Sequence, residues 1–193
     1  MTTIKSPQVT WIDVKEPSPK ELKFLAENYG LHPLIVESLR TPTIRATAED
    51  LNGYVYVVLH FPVYNPAKKV SQPVEVDFII TPSNLISVRY EKLEPLDNFL
   101  QKCKSASLLK RNSMNESSIY LFHQLLKELY SFSSRQLDHI DNKISQIEDA
   151  IFAGHQKEML FALSLSSSDI LNFLRSLKPH ASVLESLLAR EDF

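Results

Sequence analysis

Residues 119–151 read IYLFHQLLKELYSFSSRQLDHIDNKISQIEDAI. Ile119, Phe122, Leu126 and Leu129 advance by 3, 4 and 3 residues, and Leu137, Ile140, Ile144, Ile147 and Ile151 by 3, 4, 3 and 4. That alternation brings an apolar side chain back to one helix face at every turn and makes a coiled-coil-like seam. A continuous helix from about Met114 to Phe152 would be roughly 58 Å long at 1.5 Å per residue. Ala153-Gly154 breaks the run. Beyond it, Leu160, Leu163, Ser167, Ile170, Leu174, Leu177, Ala181 and Leu184 continue on a heptad, and Pro179, having no N–H, is expected to bend the helix. Two long periodic helices with a short break predict an antiparallel pair. The pair is too long to lie wholly on one small domain, so part of the seam is expected to project and meet another copy of the chain.

Outward from that seam, proline divides the sequence. Ten of the eleven prolines lie at or before Pro95, and only Pro179 follows. The first part therefore reads as short elements between turns. Val9 to Val14 is a strand around Trp11. Pro19 to Asn28 is a helix, with Ser18 as N-cap, Glu21 completing a capping box, and Gly30 as the C-cap. His32 to Leu39 is a second short helix, and Thr43 to Glu49 is a strand. Tyr54 to Phe61 is a strongly apolar strand after the Asn52-Gly53 turn. Pro62 to Gln72 reads as a polar loop. Pro73 to Ile80 and Asn84 to Tyr90 are strands, and Pro95 to Leu109 is a helix. The fold class is α+β (α/β): a mixed β-sheet with flanking helices, followed by a long antiparallel coiled-coil-like helical pair. The expected division is an α/β domain at 1–112 and a helical hairpin at 113–193.

Composition excludes several functions. Only three glycines occur in 193 residues, where ordinary usage gives about 13. Neither GxGxxG nor GxxxxGK is present, so nucleotide-binding loops of those types are excluded. The formal net charge of −2 does not suit a dedicated nucleic-acid binder. The single Cys103 permits no disulfide framework within the chain. No run approaches 18 apolar residues, and Met1 to Pro7 lacks the apolar core of a signal peptide. The six histidines form no metal motif and read as surface or interface residues. Asp138, Asp141, Glu148 and Asp149 read as a solvated acidic helix face, and Lys102, Lys104, Lys110 and Arg111 as a solvated basic stretch. The serines at 164 and 166–168 permit close helix packing. Nothing pairs a nucleophile with a base, so no enzyme is expected.

Several segments, in order, carry a resemblance. They are Trp11-Ile12-Asp13, Pro17 to Glu21, Gly30-Leu31-His32-Pro33-Leu34, Arg45, Tyr54 to Leu59 and DFIITPSNLISVR at 77–89. Ser118 to Leu129, DNKISQIE at 141–148, and Leu174 to Leu187 with its central Pro179 follow. Together they resemble the cytoplasmic part of CorA-type magnesium/divalent-cation transporters. Glu37-Ser38 stands where the family has Glu-Asp, and Ala46-Thr47 depart from its Arg-Pro-Lys segment. The Gly-Met-Asn pore motif and two membrane helices of the family are not in the chain, which therefore reads as an excised domain that stops before the membrane.

The resemblance implies a regulatory domain that senses Mg2+, with Co2+ or Zn2+ as alternatives. It implies a homo-oligomer, pentameric in the full-length protein, in the inner cell membrane with this part in the cytoplasm. The isolated fragment is expected to be monomeric or dimeric. The implied sensing site lies between subunits. Its first position falls in the loop after the Tyr54–Phe61 strand, nearest Asn65, and its second near Glu191 or Asp192. Asn65 is neutral, and Glu49, Glu75 and Asp77 are possible substitutes. The zinc-transporting branch of the superfamily and a soluble coiled-coil scaffold without transport are the alternative readings.

Overall fold

The computed structural model describes residues 1–51, 53–105 and 117–189. Six strands form one mixed sheet: β1 (Thr2–Lys5), β2 (Thr10–Lys15), β3 (Thr47–Leu51), β4 (Tyr54–Asn65), β5 (Val70–Ile80) and β6 (Asn84–Arg89). Their order across the sheet is β1-β2-β6-β5-β4-β3. Only β2 and β6 are parallel; the other neighbours are antiparallel. The short strand β1 lies outside the sequence expectation, which begins at Val9.

The sheet is covered on both faces. On one face, α1 (Pro19–Tyr29) and α2 (Pro33–Ser38) enclose Ile12, Val14, Leu22, Leu25, Ile35, Val58, Ile79 and Ile86. Ser18 and Glu21 form the expected capping box, and Gly30 ends α1 at φ 62°, where a Cβ would be strained. On the other face, α3 (Glu94–Lys104), α4 (Ser118–Phe152) and α6 (His180–Leu188) enclose the larger core around Trp11, Phe61 and Phe78. Helix α5 (Gln156–Leu177) turns back along α4 and packs on β5 and β4. The result is a mixed sheet between helical layers, with the long helical pair forming part of one of them. The expected helix at Pro95–Leu109 is observed as far as Lys104; residues 106–109, and the boundary expected at 112/113, lie outside the described residues.

The α4–α5 turn has a specific closure. The N–H of Gly154 donates to Ile151 O at 3.1 Å and the N–H of His155 to Ala150 O at 3.0 Å, a Schellman pair around Gly154 at φ 99°. Helix α5 ends at Leu177 and α6 begins at His180, so Pro179 separates two helices where a bend was expected.

Two expectations are corrected. Residues 62–72 are not a polar loop: β4 and β5 run through it and pair as far as Asn65↔Val70. Pro62 and Pro73 stand opposite each other in this ribbon. The N–H of His60 and that of Ser71 bond outside the ribbon, so by strand alternation the nitrogens of Pro62 and Pro73 also face outward. No ladder hydrogen bond is lost, which is why proline is tolerated here.

The second correction concerns the α5 seam. Leu160, Leu163, Ser167 and Leu174 are exposed, and the face turned to the sheet carries Ser166, Asp169, Phe173 and Ser176. The cause is the ribbon beneath it: α5 covers a strand edge, where Asp169 accepts from the strand backbone and small serines stand in place of leucine.

Candidate functional site

The β4–β5 ribbon outruns its neighbours on both sides. β3 pairs with β4 only as far as Val58, and β6 pairs with β5 only as far as Val76. Beyond those points each strand presents unpaired backbone groups, which must find other partners when buried. The C-terminal helices supply them. On the β4 edge, the N–H of His60 donates to His180 Nε2 at 3.3 Å. On the β5 edge, the N–H of Ser71 donates to Asp169 Oδ1 at 2.6 Å, and Asn172 Nδ2 donates to Ser71 O at 3.0 Å.

His180 stands at the first position of α6 and is 3% exposed. Because Nε2 accepts, the neutral ring carries its proton on Nδ1, which then donates to Tyr130 Oη at 2.8 Å. Phe61 and Tyr130 enclose the ring edge-on. Burial pulls His180 down to about 4, so it is neutral near pH 7.

Across the sheet lies a buried acid–base cluster. Glu75 pairs with His60 in register, and Asp77 with Val58. Glu75 Oε2 accepts from Thr43 N at 2.6 Å, from Thr43 Oγ1 at 3.0 Å, and from His60 Nε2 at 3.0 Å. This carboxylate therefore ties the α2–β3 loop to the sheet. Burial by itself lowers His60, but the Glu75 and Thr43 hydrogen bonds and the Glu75 and Asp77 charges outweigh it and hold the imidazole above its ordinary value. Asp77 is fully buried, with Tyr56 Oη donating to Oδ1 at 2.9 Å and Tyr90 Oη to Oδ2 at 2.8 Å. Burial first, and the neighbouring Glu75 charge second, push it up to about 7. The expectation that the histidines are surface or interface residues is therefore corrected for His60 and His180. The bare β4 edge buries His180, and the Glu75–Asp77 carboxylates hold His60 in the sheet.

The other expected site residues fall elsewhere. Asn65 closes β4 and caps the hairpin turn. Its Oδ1 accepts from the N–H groups of Ala67 and Lys68 at 3.0 and 3.2 Å, and its Nδ2 donates to Gln72 Oε1 at 2.8 Å. Both lone pairs of that oxygen are taken, so a cation held by Asn65 has to replace one of the two N–H groups. Glu49 is exposed on β3. Glu191 and Asp192 lie outside the described residues. No group of three His, Cys, Asp or Glu side chains among the described residues is placed to hold a metal ion. Cys103 is buried, and burial pushes its thiol up to about 11, away from reactive thiolate character. No helix among the described residues is long and apolar enough to cross a membrane.

Sequence reasoning named Glu75 and Asp77 but missed His60, His180 and Asp169 as a set. One available signal was His60 itself, alone among the apolar residues of YVYVVLHF. The pairing of His60 with His180 is 120 residues long-range and leaves no local trace.

This arrangement fastens the C-terminal helices to the sheet through titratable groups. Comparison with known proteins places it. A family model described as "CorA-like Mg2+ transporter protein" matches residues 6–193. The magnesium transporter ALR1 of Saccharomyces cerevisiae is 21% identical over 184 residues, covering 93% of this chain and 21% of that protein. The cobalt/magnesium transport protein CorA of Thermotoga maritima is 22% identical over 180 residues, covering 92% of this chain and 50% of that protein. The complete structure of the CorA magnesium transporter from Methanocaldococcus jannaschii superposes with a TM-score of 0.80 at 17% identity, over 95% of this chain and 56% of that one. That likeness shows the fold. The chain thus spans about half, or less, of the curated relatives it is compared with. Matched from residue 6 to residue 193, it belongs to the CorA-like Mg2+ transporter protein family.

Proposed function

We propose that the chain is the cytoplasmic, cation-sensing part of a divalent-cation transporter whose cargo is Mg2+, with Co2+ as a second substrate. Its family membership supports this, as do the magnesium and cobalt named for its relatives. The structural observation that carries a regulatory role is the His60–His180 link. It joins the sheet to the first residue of α6, the last described element before Glu191 and Asp192. A displacement of α6 must therefore break or carry a buried contact in the sheet.

The sensing site is proposed between subunits of a pentamer, with Glu191 and Asp192 of one copy facing the Asn65 turn of the next. Asn65 brings no charge, and its oxygen already holds two N–H groups, so the charge of such a site stands on Glu191 and Asp192. A divalent cation there would neutralise carboxylates that otherwise repel one another across the interface. Binding would favour the arrangement in which they are close, and loss of the ion would release it. The domain itself is not an enzyme; its output is the position of the helices that lead to the membrane.

The test uses the full-length protein that contains this chain. Its sensitivity to limited proteolysis is measured as Mg2+ is raised, in the parent and in an E191Q/D192N variant. Saturable protection in the parent that shifts to at least tenfold higher Mg2+ in the variant is expected. Equal protection curves for the two proteins contradict the assignment of Glu191 and Asp192.

A further inference from the structure

Asp169 sits in the interior of α5, more than two turns from either end, and is fully buried. Its Oδ1 has a partner in the Ser71 N–H, but its Oδ2 has none. Two more buried oxygens at the same junction, Ser71 Oγ and Ser166 Oγ, also lack partners. Ser71 and Ser166 are each 1% exposed. The three belong together by covalent geometry. Ser71 Oγ is three bonds from the nitrogen that holds Asp169, and Ser166 precedes Asp169 by three residues, on the same helix face.

None of the ion pairs among the described residues includes Asp169. The helix interior also places no dipole terminus beside it. A carboxylate sealed from water without a countercharge is costly. A water molecule would satisfy the oxygens and leave the charge.

We propose that Asp169 Oδ2, Ser71 Oγ and Ser166 Oγ bind a monovalent alkali cation at the junction of α5 and β5. Oxygen ligands alone select a hard cation. Charge balance selects a monovalent one: one carboxylate and one unit charge leave the buried cluster neutral, whereas Mg2+ would replace a buried negative charge with a buried positive one. The ion fastens α5 to the bare edge of β5, at a position distinct from the interface carboxylates proposed above. It goes beyond that reading and stands or falls separately from it.

The test is thermal unfolding of the 193-residue chain in N-methyl-D-glucamine chloride, NaCl and KCl at equal ionic strength, with MgCl2 as a fourth arm. A saturable rise in Tm of about 5 °C with Na+ or K+ over the organic cation is expected, since a ligand of the native state stabilises by mass action. The salt with the lower half-saturation identifies the ion. Asp169→Asn should unfold at one temperature in NaCl, KCl and the organic salt. Ser166→Ala, which keeps the carboxylate, should need about tenfold more cation, and it decides the matter if Asp169→Asn does not fold. Equal Tm values for the parent in the three monovalent salts overturn the proposal. So does a cation effect that persists in Asp169→Asn, a Ser166→Ala curve that superimposes on the parent's, or half-saturation by Mg2+ below both alkali ions.

Discussion

His180 and Asp77 lie on opposite faces of the β4–β5 ribbon and respond to pH in opposite senses. His180 is held at about 4, below the free value of 6.5. Its contribution to stability is full above 6.5 and is lost as pH falls through 4, by up to roughly 3 kcal/mol. Asp77 is raised from 3.8 to about 7. Its contribution is full below 3.8 and is lost as pH rises through 7, by up to about 4 kcal/mol. His60, raised by its partners, acts in the same sense as Asp77. Urea unfolding midpoints measured from pH 4 to 8 check both. His180→Gln, which keeps an acceptor for the His60 N–H, should flatten the loss between pH 6.5 and 4. Asp77→Asn should gain on the parent steadily from pH 4 to 8. Glu75 and Asp77 were named from the sequence as possible substitutes at the cation-sensing site. Their burial was not visible, because it follows from the register that pairs Glu75 with His60.

Among the elements, α4 was legible except at Ile119 and Leu137, which are exposed members of the expected seam, and the buried face of α5 was misread. Leu121, Leu125 and Phe132 join the expected Phe122, Leu126 and Leu129 in the core, so the helix buries a wider stripe than a two-position seam where it crosses the sheet. Helix α5 has leucines at heptad spacing, yet Leu174 is 54% exposed and Phe173 is 7% exposed. Periodicity finds the apolar face of a helix but not which face a strand edge claims. The two readings make opposite predictions for stability. Leu174→Gln should change the unfolding free energy by less than about 0.5 kcal/mol, and Phe173→Ala should cost about 3–5 kcal/mol. Chemical denaturation of the two variants checks the ranking. At the turn, Gly154→Ala forces a side chain into positive φ within the Schellman closure. It should cost about 1 kcal/mol, or a Tm lower by about 2–4 °C, in a thermal scan. Pro62 and Pro73 misled the reading of β4 and β5 because proline signals a loop unless its nitrogen faces a bare edge, and only the strand register shows that.

At the scale of the molecule, one geometric fact organises the rest: a long two-stranded ribbon whose two bare edges are closed by side chains from the helices that follow it. His180 closes one edge and Asp169 with Asn172 the other, so the sheet and the C-terminal helices are coupled through buried polar contacts. Such contacts are more sensitive to a shift in position than apolar packing, because an unmade buried hydrogen bond costs more than a slipped methyl group. The order of the motifs along the sequence was enough to read the family resemblance. The full ribbon was not, because Pro62 and Pro73 read as the ends of a loop, and its closures were not, since they depend on residues about 100 or more positions apart.

The central claim is that this domain makes transport answer to the cation on its own side of the membrane. The direct measurement is divalent-cation flux through the full-length protein in proteoliposomes, as Mg2+ is raised on the side that carries the domain. The account predicts a flux that falls saturably as that Mg2+ rises, and that stays high over the same range in the E191Q/D192N variant. A flux in the parent protein that does not change with Mg2+ on that side would contradict it.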